Sequence, residues 1–194
     1  ISAPGGEVSD YDGLIAALGG DDAVFVKKND AGKVLYITLR ADIKLEKPVH
    51  LTEGDYCLSG AGVTVTAAFD NDSMIILGGE KNATLAVGNA ESTDSDSIIF
   101  DGGSDSGRST EGSVFRVSAD SELSVYTGTV IKNSLTTVCG AAVYSEGTVT
   151  FYGGKIENCR STGSGGAFFN KGKLFLTGGS ISDGSAEFGG AVYN

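Results

Sequence analysis

The chain has 194 residues, enough for one domain with a substantial core, and its 40% apolar content is interleaved as in a folded protein rather than a disordered linker. A net charge of −11 argues against nucleic acid and anionic membrane surfaces as partners, because both would be repelled. No apolar run approaches the ~18 residues of a membrane span, so we expect no membrane insertion.

A single helix is predicted near the start of the chain, over about residues 9–19. Ser9 or Asp10 can cap its first turn, and Gly19 is placed to end it. The apolar residues of this segment fall on one helical stripe, which indicates that one side of the helix packs on a core: Tyr11, Leu14, Ile15 and Leu18.

Short strands follow the helix. Each predicted strand is rich in β-branched or aromatic residues and is bounded by Gly, Asp, Asn or Ser. They cover residues 34–39, 43–45, 49–51, 56–58, 63–66, 74–77, 85–87, 98–100 and 114–117. None of the segments between these strands has the length that a helical solenoid would require.

The last part of the chain repeats itself. A motif that opens at Gly140 returns at Gly165, 25 residues later, and opens a third time at Gly189. Aligning the two full copies places apolar residues over apolar residues, and each run alternates in the manner of a strand with one buried face. The aligned pairs are Val149 with Leu174, Phe151 with Leu176, and Ile156 with Ile181, and the recurring structural positions are Gly140, Gly165, Gly166, Gly189, Gly190, Asn170 and Asn194.

An earlier, looser copy precedes these two. The same spacing of 25 residues predicts that Val125 to Gly128 lies over Thr150 to Gly153, and that Ile131 lies over Ile156. The small segments that begin each copy carry an aromatic residue, so we expect an aromatic stack at one corner. After them come Ser145, Asn170 and Asn194, where an amide can bond along a ladder or accept a turn conformation.

These patterns predict an all-β fold, a right-handed single-stranded parallel β-helix with a short N-terminal capping α-helix. Handedness follows from the general preference of parallel crossovers. We assign residues 1–42 to the cap and 43–194 to about six coils, since the first coil of a solenoid needs a cover. At residue 194 the chain breaks off within a repeat, so we expect a truncated last coil that makes end-to-end contacts in crystals.

Candidate binding residues come from the outward positions of the strands. Tyr126, Tyr152 and Phe175 are predicted to point outward, where aromatic rings can stack on sugars, anchor a protein, or form ordinary cross-strand pairs. No cofactor is expected. A calcium site is a weaker alternative to plain solvated turns at Asp94, Asp96, Asp101 and Asp105.

The cysteine and histidine residues do not indicate a metal site or a catalytic site. Cys57, Cys139 and Cys159 are expected to be buried free thiols, with a disulfide between the last two as the alternative. His50 is the only imidazole in the chain and is expected to be a surface or turn residue. We therefore predict no catalytic residues.

The Gly-Gly-Ala-Val-Tyr-Asn motif at 189–194, with the Gly-x-hydrophobic-x-hydrophobic-x-Gly-Gly-x-Ile run at 172–181, resembles the repeat of large bacterial cell-surface β-helix proteins common in gut Firmicutes. It is also similar to the repeats of chlamydial polymorphic outer-membrane adhesins. The resemblance implies an extracellular location and a non-enzymatic adhesin or stalk with a flank for glycan or host matrix protein. Two alternatives stay open: a polysaccharide lyase or hydrolase, or its inactive relative, and a purely structural spacer.

Overall fold

A computed structural model describes residues 7–17, 25–26, 34–88, 97–106 and 109–194. The fold is all-β, with three parallel sheets that surround one core. Sheet 1 contains β1 (Glu7–Val8), β3 (Val34–Leu39), β6 (Gly54–Gly60), β9 (Ala83–Val87), β12 (Glu122–Val125), β15 (Thr148–Phe151) and β18 (Lys173–Leu176). Sheet 2 contains β4 (Ile43–Leu45), β7 (Val63–Ala67), β10 (Ile98–Asp101), β13 (Thr129–Thr136), β16 (Lys155–Ser161) and β19 (Ser180–Ser182). Sheet 3 contains β2 (Phe25–Val26), β5 (Val49–Leu51), β8 (Ile75–Leu77), β11 (Phe115–Val117), β14 (Val143–Ser145), β17 (Phe168–Asn170) and β20 (Val192–Tyr193).

The chain visits the sheets in a fixed order, so that three successive strands make one coil. Every strand pairs in parallel with the strand of the same sheet one coil away. The strands from β3 to β20 therefore form six coils of a parallel β-helix, which confirms the predicted fold. β3 lies before residue 42 and pairs with β6 within sheet 1, as part of the first coil. The boundary between the cap and the coils, placed at residue 42, stays a prediction.

The predicted register of the last two copies is confirmed. Val149 pairs with Leu174, Phe151 with Leu176, and Ile156 with Ile181. In sheet 1 alternate residues point inward, because neighbouring side chains of a strand project from opposite faces. Val149 and Phe151 are accordingly no more than 1% exposed.

The earlier copy is displaced by one residue from its predicted alignment. Val125 pairs with Phe151, 26 residues away, and not with Thr150. Val125 and Phe151 are both buried, whereas Thr150 points outward, so the register follows the interior positions. Ile131 does pair with Ile156 as predicted, because the turn after Val125 is one residue longer and restores the spacing of 25.

The N-terminal helix, α1 (Tyr11–Ala17), begins where Asp10 caps it. The Oδ1 atom of Asp10 accepts a hydrogen bond of 2.7 Å from the backbone N–H of Gly13. Leu14 is 4% exposed and belongs to the same core as Ile37 and Leu39 of the first full coil. The helix thus packs on the N-terminal end of the core, while Leu18 and Gly19 lie outside the described residues.

The interior positions of the last coil are more exposed than those before it. Leu176 is 47% exposed, although its register partner Phe151 is 1% exposed. Leu174, Ile181 and Val192 are also only partly buried. The end-to-end contact expected at this face stays a prediction, which sedimentation velocity over a range of concentrations would test.

Candidate ligand-binding surfaces

Two of the three predicted binding residues lie against each other, at the corner between sheet 1 and sheet 2. The rings of Tyr126 and Tyr152 stack with centroids 4.9 Å apart and an interplanar angle of 11°. Each tyrosine directly follows a buried residue, Val125 or Phe151, and alternation therefore turns its side chain outward. We call Tyr126 and Tyr152 the tyrosine pair.

Stacking covers one face of each ring and leaves the outer face of Tyr152 accessible. Thr177 follows Leu176 as Tyr152 follows Phe151, so a short side chain stands where a third ring would continue the stack. The Thr177 hydroxyl donates a hydrogen bond of 3.2 Å to the backbone oxygen of Phe151 and turns toward the main chain. Tyr152 is 49% exposed, which leaves a ring face for a flat apolar group.

Phe175 also points outward, but in a different column of sheet 1. Its register partner is Thr150, and its side chain is 50% exposed. The structure therefore confirms the outward orientation of all three aromatic residues and brings only Tyr126 and Tyr152 into contact.

The predicted aromatic stack is present, but it runs along the outer face of sheet 3 and not at a corner, because its residues lie within strands. Tyr144 stacks on Phe169, and Phe169 stacks on Tyr193, each with centroids 5.2 Å apart. Arg116 occupies the same column one coil earlier, with its guanidinium carbon 5.6 Å from the centre of the Tyr144 ring. This aromatic column thus ends in a cation on its N-terminal side.

Lys171 bridges Tyr144 of the aromatic column and the carboxylate of Glu146. Its Nζ lies 2.7 Å from the Tyr144 hydroxyl and 3.2 Å from Oε1 of Glu146. The hydrogen bond from Lys171, followed by that from Tyr144, lowers the pKa of the Glu146 carboxyl. Because Lys171 and Glu146 are well exposed, their ion pair orients side chains more than it stabilises the fold.

A groove lies beside Arg116 and Tyr144. Its volume is about 230 Å³. The lining includes a guanidinium, a carboxylate, a hydroxyl, an aliphatic side chain and an aromatic ring, from Arg116, Glu111, Ser113, Val138 and Tyr144.

The sequence did not indicate this groove. Arg116 precedes Tyr144 by 28 residues, so a search at a spacing of 24 or 25 does not align the two residues. A comparison of the short apolar triplets around them, in place of a fixed period, would have found the pair.

The predicted calcium residues fall into two groups. Asp94 and Asp96 lie outside the described residues. Asp101 accepts hydrogen bonds from the backbone N–H of Gly103 at 2.8 Å and from the Asn133 amide at 3.2 Å, and its carboxylate lies 3.5 Å from Lys132 Nζ.

Asp105 is held differently, at the other end of the same polar cluster. The Asn158 amide donates to Asp105 at 3.3 Å and to Asn133 at 3.0 Å, so each described carboxylate accepts a hydrogen bond from an asparagine amide. Within the described part of the chain, no three His, Cys, Asp or Glu side chains are gathered in a way that could hold a metal ion. The calcium hypothesis stays a prediction.

All three cysteines are free thiols in the structure. Cys159 is buried, and burial raises the pKa of its thiol to about 12. Cys57 and Cys139 are half-buried, and Cys139 Sγ accepts a hydrogen bond of 3.4 Å from the backbone N–H of Ser164. The expectation of buried thiols is therefore met in full only at Cys159.

His50 lies at an outward position of β5 and is half-buried. Burial lowers the pKa of its imidazole, while Asp72 acts in the opposite direction.

Comparison with known proteins returned nothing: no family model, curated protein or solved structure matches this chain. Among the described residues, no helix is both long and apolar enough to cross a bilayer. The class that the fold defines is a parallel β-helix.

Proposed function

We propose that this β-helix is a non-enzymatic adhesin or stalk segment, secreted or held at a bacterial surface, which presents a binding flank to glycans or host matrix proteins. The observation that carries the proposal is the tyrosine pair, whose ring stack ends in the accessible face of Tyr152. The resemblance of the glycine-rich repeat to bacterial surface proteins supports the extracellular setting.

The geometry of the tyrosine pair suits a flat ligand. Stacking on Tyr126 fixes the orientation of the Tyr152 ring, so little side-chain freedom is lost when a ligand binds. The apolar face of a sugar ring, or an aromatic side chain of a partner, can occupy the position above Thr177. Phe175, on the neighbouring column, extends the apolar surface across the outside of sheet 1.

The experiment is a screen of immobilised glycans and matrix proteins, followed by affinity measurements on any ligand found. Tyr152→Ser is expected to weaken binding about tenfold or more, because it removes the accessible ring, and Tyr126→Ser and Phe175→Ser to weaken it less. Tyr36→Ser is the matched control, since Tyr36 is 54% exposed on β3 of the same sheet but four coils earlier than Tyr152. If no ligand is found, the spacer hypothesis replaces the binding role.

The polysaccharide-active alternative has its own test. Release of reducing sugar or of an unsaturated product from pectin-like substrates, lost on changing Asp101 or Asp105, would favour an enzyme over an adhesin. The adhesin proposal predicts no such product.

A further inference from the structure

We infer that the groove between Arg116 and Glu111 is a second ligand site, which takes one neutral pyranose unit of a glycan. The inference rests on the proposed binding function but places a contact on a different face, because the tyrosine pair belongs to the corner of sheets 1 and 2 and Arg116 to the outer face of sheet 3.

The two charged walls of the groove offer complementary hydrogen-bonding groups. Arg116 supplies hydrogen-bond donors only, and Glu111 supplies acceptors only. Both side chains are exposed to solvent at the same groove, and none of the ion pairs between described residues joins them. Adjacent sugar hydroxyls donate and accept at once, so a pyranose can satisfy both walls, whereas a purely anionic or purely cationic ligand matches only one.

Stacked aromatic rings hold the Arg116 side chain in place. The Tyr144 ring lies under its guanidinium at 5.6 Å, and Phe169 backs that ring on the opposite face. The contact with the supported Tyr144 ring restricts the Arg116 side chain, which would otherwise lose much rotamer freedom on binding a ligand. The donor wall of the groove is therefore partly preorganised.

The shape of the groove suits one sugar ring. Gly112 contributes to its lining, and a Cβ atom at this position would overlap the backbone of Asp72 and Ser73, so the wall carries no side chain there. Val138 is 45% exposed and supplies an aliphatic wall for the C–H face of a sugar. A volume of about 230 Å³ is below the usual range for drug-sized ligands and fits a single sugar unit.

The negative charges of Glu111 and of the whole chain disfavour the binding of acidic sugars. The groove contains one cationic and one anionic side chain, while the whole chain carries −11. A uronate would gain one contact at Arg116 and be repelled by Glu111 and by the surrounding field. Neutral pyranosides are expected to bind more tightly than galacturonate.

The test is an NMR titration of the full, isotopically labelled chain. The probes are the methyl glycosides of mannose, galactose, glucose and N-acetylglucosamine, with galacturonate as the charged comparison. At least one neutral probe is expected to cause saturable shifts of the Gly112, Ser113 and Arg116 amides. Arg116→Ala and Glu111→Gln are each expected to weaken that binding about tenfold or more.

Matched controls and separate outcomes keep the two sites distinct. Arg160→Ala and Glu122→Gln change exposed residues of the same types outside the groove lining and are expected to leave the titration unchanged. Shifts confined to the Tyr126 and Tyr152 region would overturn the inference and leave the proposed function intact. Shifts at the groove that persist in Tyr152→Ser would support the inference, because they show binding that does not depend on the tyrosine pair. A titration in which no pyranoside shifts the groove amides overturns the inference.

Discussion

The side-chain amide of Asn170 donates a hydrogen bond of 2.6 Å to Oδ1 of Asn194, which lies 24 residues later and one coil further along the helix. The same amide group donates to the backbone oxygen of Gly172 at 3.0 Å. Asn170 therefore serves both in a ladder between coils and in a local turn, the two roles that the sequence left open. Its position is 4% exposed, in a column that holds Val117 and Ser145 in the preceding coils.

The ladder can be extended by one rung. Oδ1 of Asn170 and Oγ of Ser145 are buried without a hydrogen-bond partner. Ser145→Asn is expected to place an amide donor beside Asn170 and raise the free energy of unfolding by about 1 kcal/mol, measured by urea denaturation. Ser145→Ala, which only removes a hydroxyl that makes no bond, is the control and should change stability little. A Ser145→Asn variant less stable than the original chain would contradict the ladder.

Phe151 and Leu176 are in register but differ in burial, so truncating them is expected to change the free energy of unfolding by different amounts. Phe151→Ala is expected to lower the free energy of unfolding by about 3 to 5 kcal/mol, because it opens a cavity where the side chain is 1% exposed. Leu176→Ala alters the register partner of Phe151, which is 47% exposed, and should cost about 1 kcal/mol or less. Equal losses in thermal or urea unfolding would show that the two positions do not differ in burial.

Glycine is required where the turns of successive coils meet. A Cβ atom on Gly172 would overlap the backbone oxygen of Gly147, the aligned residue of the preceding coil. Gly172→Ala is expected to cost about 1 to 3 kcal/mol through displacement of the turn. Gly190→Ala is the control, since a Cβ there would meet only the Gly184 oxygen at 3.6 Å. Calorimetric melting of both variants measures the difference, and an unaffected Gly172→Ala would argue against close stacking.

Cys159 predicts a loss of stability as the pH rises. Burial raises the pKa of its thiol to about 12 in the folded chain, whereas an unfolded cysteine ionises near about 8.5. Between these values the folded state keeps a proton that the unfolded state has lost, so the free energy of unfolding falls by up to about 1.4 kcal/mol per pH unit.

Urea denaturation of the original chain and Cys159→Ala isolates this contribution. From about pH 7.5 to about pH 9.5 the original chain should lose about 1.4 kcal/mol more than the variant. Tyr56, whose pKa burial raises to about 12, adds a similar loss only above its ordinary value of 10.0 and is present in both chains. A difference between the chains that does not change with pH would contradict the burial of Cys159.

Much of the fold was predictable because its signal is local. The strands at 34–39, 43–45 and 49–51 are observed within the predicted bounds, since alternation of β-prone residues between turns specifies them without reference to the rest of the chain. The register of the last two coils was predictable as well, because their turns have equal length.

Prediction failed where a turn changes length. An extra residue after Val125 displaced the predicted register by one, and burial of Val125 and Phe151, not sequence similarity, decided the pairing. A longer connection separates Arg116 from Tyr144 and concealed the groove that they line. The length of each turn depends on how it closes against neighbouring coils, which a single period cannot represent.

The most direct test of the stacked coils is the pattern of nuclear Overhauser effects between methyl groups. Leu123, Val149 and Leu174 lie in one register column of sheet 1, and the adjacent strands of such a column are ~4.8 Å apart. We expect cross-peaks from Val149 to both leucines, 26 residues before it and 25 after it, and a matching series between Ile131, Ile156 and Ile181. Cross-peaks that instead pair these strands in antiparallel order, with no contact along either series, would contradict the stacking of the coils.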